Sequence, residues 1–486
     1  MTVHTKVPLR TKLVFGLGST AEYVFLYTFG FLTMLYYNQV LGLPATLAGL
    51  GPTIALIFDA VTDPLIGSWS DRFKSKKWGR RHPFMFAAPI PVTLSFYALF
   101  NPPQGTTETE LFIWLIVFSV LMRSFMTLFF VPHLAFGGEL SRDYHERTAI
   151  MSYNTIGYFF GASGAVWLSL SFVFVPTDTY ENGLLNPDAY PVFSLWACII
   201  VFFSLYASAW FTRDRIPTLK KPDAQLPKFS FITMYGDLVK VFRNRNYLYL
   251  LLGLFFISIT FGMRAAFNQY MNIYYWELLP DQIRWFVVAS GFGFVAGFAF
   301  TYALHRKFDK RATIVVAASC SAVLDAMPVI LRMLGFFPEN GTPSLFPSVL
   351  TFQALASAGG SILNISVMSA LADIADENEV RFGQRQEGVL YSARSFFSKV
   401  DLAVGTFLAG VTLDMIAFPK DAAPGEVDPN AVFWLGVMDS PAAIVPAMIG
   451  IAFYSGYRLN RSKHAEIREE LDRRNGQKEG AATGPP

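Results

Sequence analysis

Long apolar segments alternate with short polar ones along the whole chain. A run of about 20 apolar residues is long enough to cross ~30 Å of hydrocarbon as a helix. In hydrocarbon every backbone amide and carbonyl must be paired within its own segment, which favours helices. The pattern therefore predicts an all-α integral membrane protein with twelve transmembrane helices, at about residues 12–40, 46–71, 82–101, 111–138, 147–175, 190–212, 246–276, 282–305, 311–336, 345–375, 387–415 and 433–457.

The composition supports a membrane location. Of the 486 residues, 53% are hydrophobic and 15% are charged, whereas a soluble domain carries about 25% charged residues. Cys198 and Cys320 lie in separate apolar segments, without the spacing of a metal site or the number needed for a disulfide framework. The composition thus indicates a membrane protein and argues against a disulfide-stapled one.

The positive charges are distributed unevenly between the loops. If the N-terminus is cytoplasmic, the inner loops carry 22 Lys and Arg residues and the outer loops carry only Arg284 and Lys420. This asymmetry follows the positive-inside rule. It predicts a multi-pass protein of the plasma (inner) membrane with both termini in the cytoplasm, and because topology explains the basic loops, no nucleic-acid partner is expected.

The chain divides into two similar halves. We predict an N-terminal six-helix half at 1–212, a cytoplasmic loop at 213–245, a C-terminal six-helix half at 246–457 and a cytoplasmic tail at 458–486. The basic loops SDRFKSKKWGRR and HRKFDKR occupy matching places in the halves, as in transporters built from repeats around a midplane site. The spacings Gly157-x-x-x-Gly161 and Gly293-x-x-x-Gly297 indicate close helix contacts, either sliding or static.

Two acidic residues stand in the middle of the second apolar run. Asp59 and Asp63 are one helical turn apart, on one face. Two neighbouring carboxylates resist joint ionisation, so a proton, a cation or a basic side chain must accompany them. Hard oxygen ligands suit Na⁺ or H⁺, and Thr62 could add a hydroxyl. A structural ion pair that locks two helices is the alternative.

Further charged residues lie within other apolar runs. Lys399 is the natural partner of the acid pair and could couple ion binding to helix movement, or form a static salt bridge. Arg123 and Arg264 could neutralise Glu22 or receive an anionic group of a solute, and for Arg123 a structural role is the favoured alternative. Asp325 and Asp401 have no assigned role. At the end of the second run, we predict a gate that ties neighbouring helix ends, formed by Asp71, Arg72, Arg80 and Arg81.

Several motifs together resemble one transporter family. DAVTDPLIGSWSDR (59–72) and the following G-R-R-x-P (79–83) are similar to the signature of the glycoside–pentoside–hexuronide:cation symporters, a branch of the major facilitator superfamily. KLVFGLGS in the first run, VPHLAFGGELSRDYHERT after the fourth and LADIADENEVRFGQRQEGVLYSARSFFSK, which extends into the eleventh, carry the resemblance over nearly the whole chain. The resemblance implies the major facilitator fold.

The resemblance also implies roles for individual residues. It places the coupling cation on Asp59 and Asp63, with Thr62 and Thr127 completing the shell and Lys399 as the coupling lysine. The two acids that hold sugar hydroxyls in melibiose-type members are replaced by Tyr23, beside Glu22, and by Phe130, so the usual sugar pose is in doubt. The candidate solute-contact residues are Glu22, Tyr23, Tyr27, Phe130, Arg264, Asn268 and Arg394.

The predicted function is secondary symport by alternating access. A small glycoside- or uronide-like solute would move with Na⁺ or H⁺, with no other cofactor, through a protein that is monomeric in the bilayer. An alternative keeps the scaffold but carries an amphiphile such as a lysolipid, since aromatic residues replace the sugar-binding acids. Remote alternatives are an intramembrane enzyme, for which no nucleophile–base motif is found, and a sensor that binds solute without transport.

Overall fold

The computed structural model describes residues 6–75, 77–141, 143–219, 242–382 and 387–482. Every regular element in these ranges is a helix, as the sequence predicts. Ten continuous helical segments among the described residues are long and apolar enough to cross a membrane. The helices are α1 (Leu9–Leu35), α2 (Ala45–Arg72), α3 (His82–Ala87), α4 (Pro89–Leu99), α5 (Glu108–Glu139), α6 (Tyr144–Phe172), α7 (Ala189–Phe211), α8 (Arg245–Tyr270), α9 (Pro280–Lys307), α10 (Lys310–Met333), α11 (Leu345–Phe382), α12 (Glu387–Met415), α13 (Pro429–Val437), α14 (Ile444–Ser455) and α15 (Arg461–Ala482).

Four of the twelve predicted apolar runs have a more complex form than a single α-helix. Two of them, 246–276 and 433–457, contain the π-helical turns Met271–Tyr275 and Met438–Ala442. The run at 82–101 forms α3 and α4, which are separated at Ala88. Pro89 begins α4, and because proline has no amide hydrogen and its ring crowds the preceding turn, the helix is interrupted there. The run at 12–40 forms α1 and a π-helical turn, Tyr36–Val40.

The chain clusters into two compact units. The first unit comprises residues 1–229, 263–287 and 406–435, and the second comprises 230–262, 288–405 and 436–486. Most of the predicted loop at 213–245, namely 220–241, lies outside the described residues. The predicted division of the chain into halves stays a prediction.

Within the first unit, α1 and α6 pack backbone against backbone. A Cβ atom added to Gly157 would lie 2.0 Å from the carbonyl oxygen of Gly16, and one added to Gly161 would lie 2.3 Å from that of Thr20. The Thr20 hydroxyl donates a hydrogen bond of 3.0 Å to the Gly157 carbonyl. The predicted close helix contact at Gly157 and Gly161 is therefore present, because no larger side chain fits there.

The first turn of α2 is held by a carboxylate from a distant part of the chain. The residue before the helix, Pro44, makes no side-chain cap. Asp414, at the end of α12, accepts hydrogen bonds from the amides of Ala45 (3.0 Å) and Thr46 (2.8 Å). These amides have no helical acceptor, and negative charge is favourable at the N-terminus of a helix. Asp414 thus replaces the missing cap of the helix that carries Asp59 and Asp63.

The second unit has an apolar core to which α8, α10, α11, α12 and α14 contribute. Buried members include Tyr247, Ile257, Leu371, Ala393 and Tyr454. The predicted cytoplasmic tail contains α15, and its last residues, 483–486, lie outside the described part of the chain.

Candidate functional site

Asp59 and Asp63 project from one face of α2, as their spacing predicts. Asp59 is 4% exposed and Asp63 is half-buried. Pro64, the next residue, has no amide hydrogen and cannot donate to the carbonyl of Ala60. The sequence thus provides two carboxylates in the interior of a helix and weakens the helical hydrogen bonding beside them.

A single hydroxyl group connects the two acids. Thr127 Oγ1, on α5, lies 2.6 Å from Asp59 Oδ1 and 2.9 Å from Asp63 Oδ1. A threonine hydroxyl carries one hydrogen and can donate to one carboxylate only. The second short oxygen–oxygen contact is favourable only if a proton or another positive charge accompanies the pair. The required positive charge can be a small cation, a proton or a basic side chain.

An arginine also contacts the acid pair, which the sequence interpretation missed. Arg123 Nη2 forms an ion pair with Asp59 Oδ2, and Arg123 is itself buried. From the sequence, Arg123 is expected to be structural, to neutralise Glu22 or to receive an anionic group of a solute, but no specific partner among the two aspartates is predicted. The signal that could have found this contact is spacing: Arg123 and Thr127 are one turn apart on α5, as Asp59 and Asp63 are on α2, so two facing helices can pair them in register.

The two remaining residues predicted for the ion site are Thr62 and Lys399. The Thr62 hydroxyl donates to the carbonyl oxygen of Asp59 at 3.3 Å, so it is turned toward the backbone of its own helix. Lys399 belongs to the second unit, and its coupling role stays a prediction. Among the residues that the structure describes, no group of three or more His, Cys, Asp or Glu side chains is arranged to hold a metal ion.

Part of the predicted solute site lies close to the acid pair in the first unit. The ring centroids of Tyr23 and Tyr158 are 3.6 Å apart, and the ring planes meet at 80°. Glu22, Tyr158 and Arg123 all lie within electrostatic range of the Tyr23 hydroxyl. Glu22 is buried, and Phe130 is half-buried. Tyr158 is a candidate contact that the sequence analysis did not include.

The other predicted solute residues are distributed over both units. Arg264 and Asn268 are half-buried and one turn apart on α8, in the first unit. The Asn268 side-chain oxygen accepts hydrogen bonds from Gln269 (3.0 Å) and Asn272 (3.2 Å). Arg394 lies on α12 in the second unit. The side chain of Tyr27 lies outside the described part of the chain.

The predicted gate residues form a network at the C-terminal end of α2. Arg81 is 5% exposed and binds Asp71 at 2.5 Å, Glu139 at 2.9 Å and the Ser70 hydroxyl at 2.8 Å. Arg80 binds the same oxygen of Glu139 at 2.7 Å. The network ties the end of α2 to the end of α5, as predicted for neighbouring helix ends.

Two gate details were not predicted. Glu139, at the last position of α5, is the acid that Arg80 and Arg81 share. It lies in the GGELSRD stretch. An acidic residue at the end of one helix, with a basic loop at the end of another, was the sequence feature that could have predicted this ion pair. Arg72, the last residue of α2, is exposed, whereas Arg81 is buried at the centre of the network.

Most of the chain corresponds to one family. A family model described as MFS/sugar transport protein matches residues 14–461, which is most of the 486 residues. The chain belongs to this family. Membership makes it a multi-pass membrane transporter and not an enzyme, and the symporter resemblance seen in the sequence motifs is confirmed.

Individual relatives align with this chain over nearly their full length. A protein of Synechocystis sp. named an uncharacterized symporter is 26% identical, over 96% of this chain and 97% of its own. A putative sulfoquinovose importer of Salmonella typhimurium is 23% identical, over 96% of this chain and 94% of its own. The crystal structure of a bacterial homologue of the human lysosomal transporter Spinster has a TM-score of 0.64 at 13% identity, with 95% and 98% of the two chains covered. At this identity the structural likeness shows the fold alone.

Proposed function

We propose that the chain is a symporter that moves a small sugar-derived organic solute together with Na⁺ or H⁺ across the plasma membrane. The observation that carries the proposal is the Thr127 hydroxyl, which lies within hydrogen-bond distance of both Asp59 and Asp63. Three oxygen-bearing side chains from two helices converge there, and hard oxygen ligands suit such an ion. The relative named a symporter supports ion coupling.

Arg123 would make the binding of the ion and the solute interdependent. In this structure its guanidinium provides the positive charge for Asp59. An entering cation would compete for the same carboxylate, because two positive charges repel each other there. Arg123 would then be released toward Glu22 and Tyr23, which lie in the same neighbourhood. Ion binding would thus prepare the solute site.

The chemistry of the solute follows from the residues around Tyr23. The crossed rings of Tyr23 and Tyr158 provide an aromatic surface on which a sugar ring can stack. A released Arg123 would suit a carboxylate or sulfonate group, since guanidinium groups bind such anions with two hydrogen bonds. The relative named a sulfoquinovose importer supports an anionic sugar. We therefore propose an acidic sugar or glycoside, with Arg264 and Asn268 as further contacts.

The network around Arg81 would keep the ends of α2 and α5 together during transport. Among the described residues, Arg81 has three hydrogen-bond or ion-pair partners, whereas Arg80 has one, Glu139. We expect Arg81→Gln to slow solute exchange in proteoliposomes more than Arg80→Gln does. Equal exchange rates in the two variants would argue against this role.

The central test is uphill transport into proteoliposomes. A counterflow screen of uronates, sulfonated sugars, neutral glycosides and lysolipids, at varied Na⁺ and pH, would identify the solute and the ion. Asp59→Asn and Asp63→Asn should then reduce ion-driven accumulation to passive equilibration. Asp178→Asn, in an exposed loop, is the matched control and should accumulate solute normally. Undiminished uphill transport by both site variants would refute the proposal, and counterflow of lysolipids alone would favour an amphiphile carrier.

A further inference from the structure

A further buried carboxyl group lies in α12, outside the site described above. Asp401 is 0% exposed and stands at the centre of the helix Glu387–Met415. Neither of its carboxyl oxygens makes a hydrogen bond of regular geometry within the described residues. An ionised carboxylate in such surroundings is strongly unfavourable, so the group must be neutral in this conformation.

The helix α8 packs against α12 beside Asp401. A Cβ atom on Gly262 would lie 2.9 Å from the Leu402 carbonyl oxygen, so the two helices touch backbone to backbone beside Asp401. Ser258 is one turn before Gly262 on the same face of α8. Its hydroxyl is close to the Asp401 carboxyl group. A hydroxyl in that place can donate to the carboxylate form once a small rearrangement aligns it.

The charged and titratable groups near Asp401 come from two helices. On α12, Arg394 lies seven residues earlier on the same face, about 10 Å along the axis, whereas Lys399 projects from nearly the opposite side. Both basic side chains have interactions of their own. On α14, the buried Tyr454 lies within electrostatic range of Arg394 and Asp401. None of these groups forms an ion pair with Asp401 in the described part of the chain.

We propose that Asp401 is a proton-binding site of the transport cycle, separate from the ion site at Asp59 and Asp63. One carboxyl group and the Ser258 hydroxyl provide too few oxygen atoms for a hard metal cation, which takes about six. A proton needs only one oxygen. When α8 and α12 separate enough for water to enter, the O–H bond breaks, the proton passes to water and Asp401 becomes a carboxylate. Closure of the contact reverses this step with one proton taken from water.

Difference infrared spectroscopy of the purified protein tests this proposal without any solute. We expect the carbonyl band of protonated carboxyl groups to shrink between acidic and alkaline buffer. Asp401→Asn should remove the contribution of one carboxyl group from that change. Asp325→Asn, another acid in a membrane-spanning helix of the same unit, is the matched control and should retain the Asp401 contribution in full. An identical difference spectrum in Asp401→Asn and the unmodified protein would overturn the proposal.

A second variant keeps the test decisive if Asp401→Asn does not fold. Ser258→Ala leaves the carboxyl group in place but removes the hydroxyl that favours its charged form. The midpoint of the band change should therefore move to higher pH, and an unchanged midpoint would overturn the proposed site. Since neither measurement involves transport, both outcomes are independent of whether Asp59 and Asp63 bind the coupling ion.

Discussion

Asp59 and Asp401 are both buried in the middle of membrane-spanning helices, at 4% and 0% exposure, but their surroundings are opposite. Asp59 has an arginine on one oxygen and a threonine hydroxyl on the other. Asp401 has no ion pair in the described residues and only the nearby Ser258 hydroxyl. The first site is built to hold a charge, and the second is tolerable only without one. Burial alone therefore does not tell how an intramembrane acid is used; its partners do.

The largest effect that would separate the two sites is on stability. Asp59→Ala leaves the guanidinium of Arg123 buried without its carboxylate, and breaking a buried pair in this way costs about 3–5 kcal/mol. Asp401→Ala removes a buried polar group that lacks a regular hydrogen bond, so we expect an unchanged or higher melting temperature. Thermal unfolding of both variants in detergent checks the difference. Adding Arg123→Met to Asp59→Ala should recover much of the loss. Equal destabilisation by the two single variants would show that the two acids do not differ in their contribution to stability.

The next effect concerns the competition between Arg123 and the coupling ion. Arg123→Gln removes the resident positive charge from Asp59, and a hydrogen bond to a charged group is worth about 1.5–3 kcal/mol. We therefore expect the ion concentration that half-saturates the ion site, measured by thermal shift without solute, to fall by about 10- to 100-fold. Arg123→Lys, which keeps a charge, is the control and should stay near the unmodified protein. A rise in that concentration for Arg123→Gln would show that Arg123 assists the ion instead.

The smallest effect is expected from the hydroxyl between the acids. Thr127→Val keeps the shape of the side chain but loses an oxygen ligand, at about 1 kcal/mol. Ion affinity in the counterflow assay should fall about fivefold. Thr127→Ser retains the oxygen and should bind the ion normally. If both variants behave alike, the hydroxyl contributes packing and no ligand.

The sequence predicted the fold more completely than the site. Long apolar runs determine membrane helices because backbone groups in lipid have no alternative partner. Asp59 and Asp63 were found for the same reason, since charge within an apolar run is conspicuous. The interruption at Pro89 was harder to foresee, because Pro52 and Pro64 lie within α2 without ending it. Whether a proline breaks a membrane helix depends on what its neighbours supply.

The partners of the charged residues could not be derived from the chain alone. Arg123 meets Asp59 across 64 positions, and Glu139 meets Arg81 across 58. Such pairs depend on how two helices are rotated and shifted against each other, which apolar residues on every face of a membrane helix leave undetermined. For Asp401, the sequence reveals a central acid, and only packing shows that no basic group among the described residues pairs with it.

The bond between Asp414 and the first amides of α2 has a practical consequence. From Ala45 to Asp59 the helix extends about 21 Å. A displacement of its first turn would therefore also move Asp59. A nanobody selected to displace the Asp414 segment would, under the proposed function, alter ion affinity from a distance. Inhibitors of this transporter need not compete with its cargo.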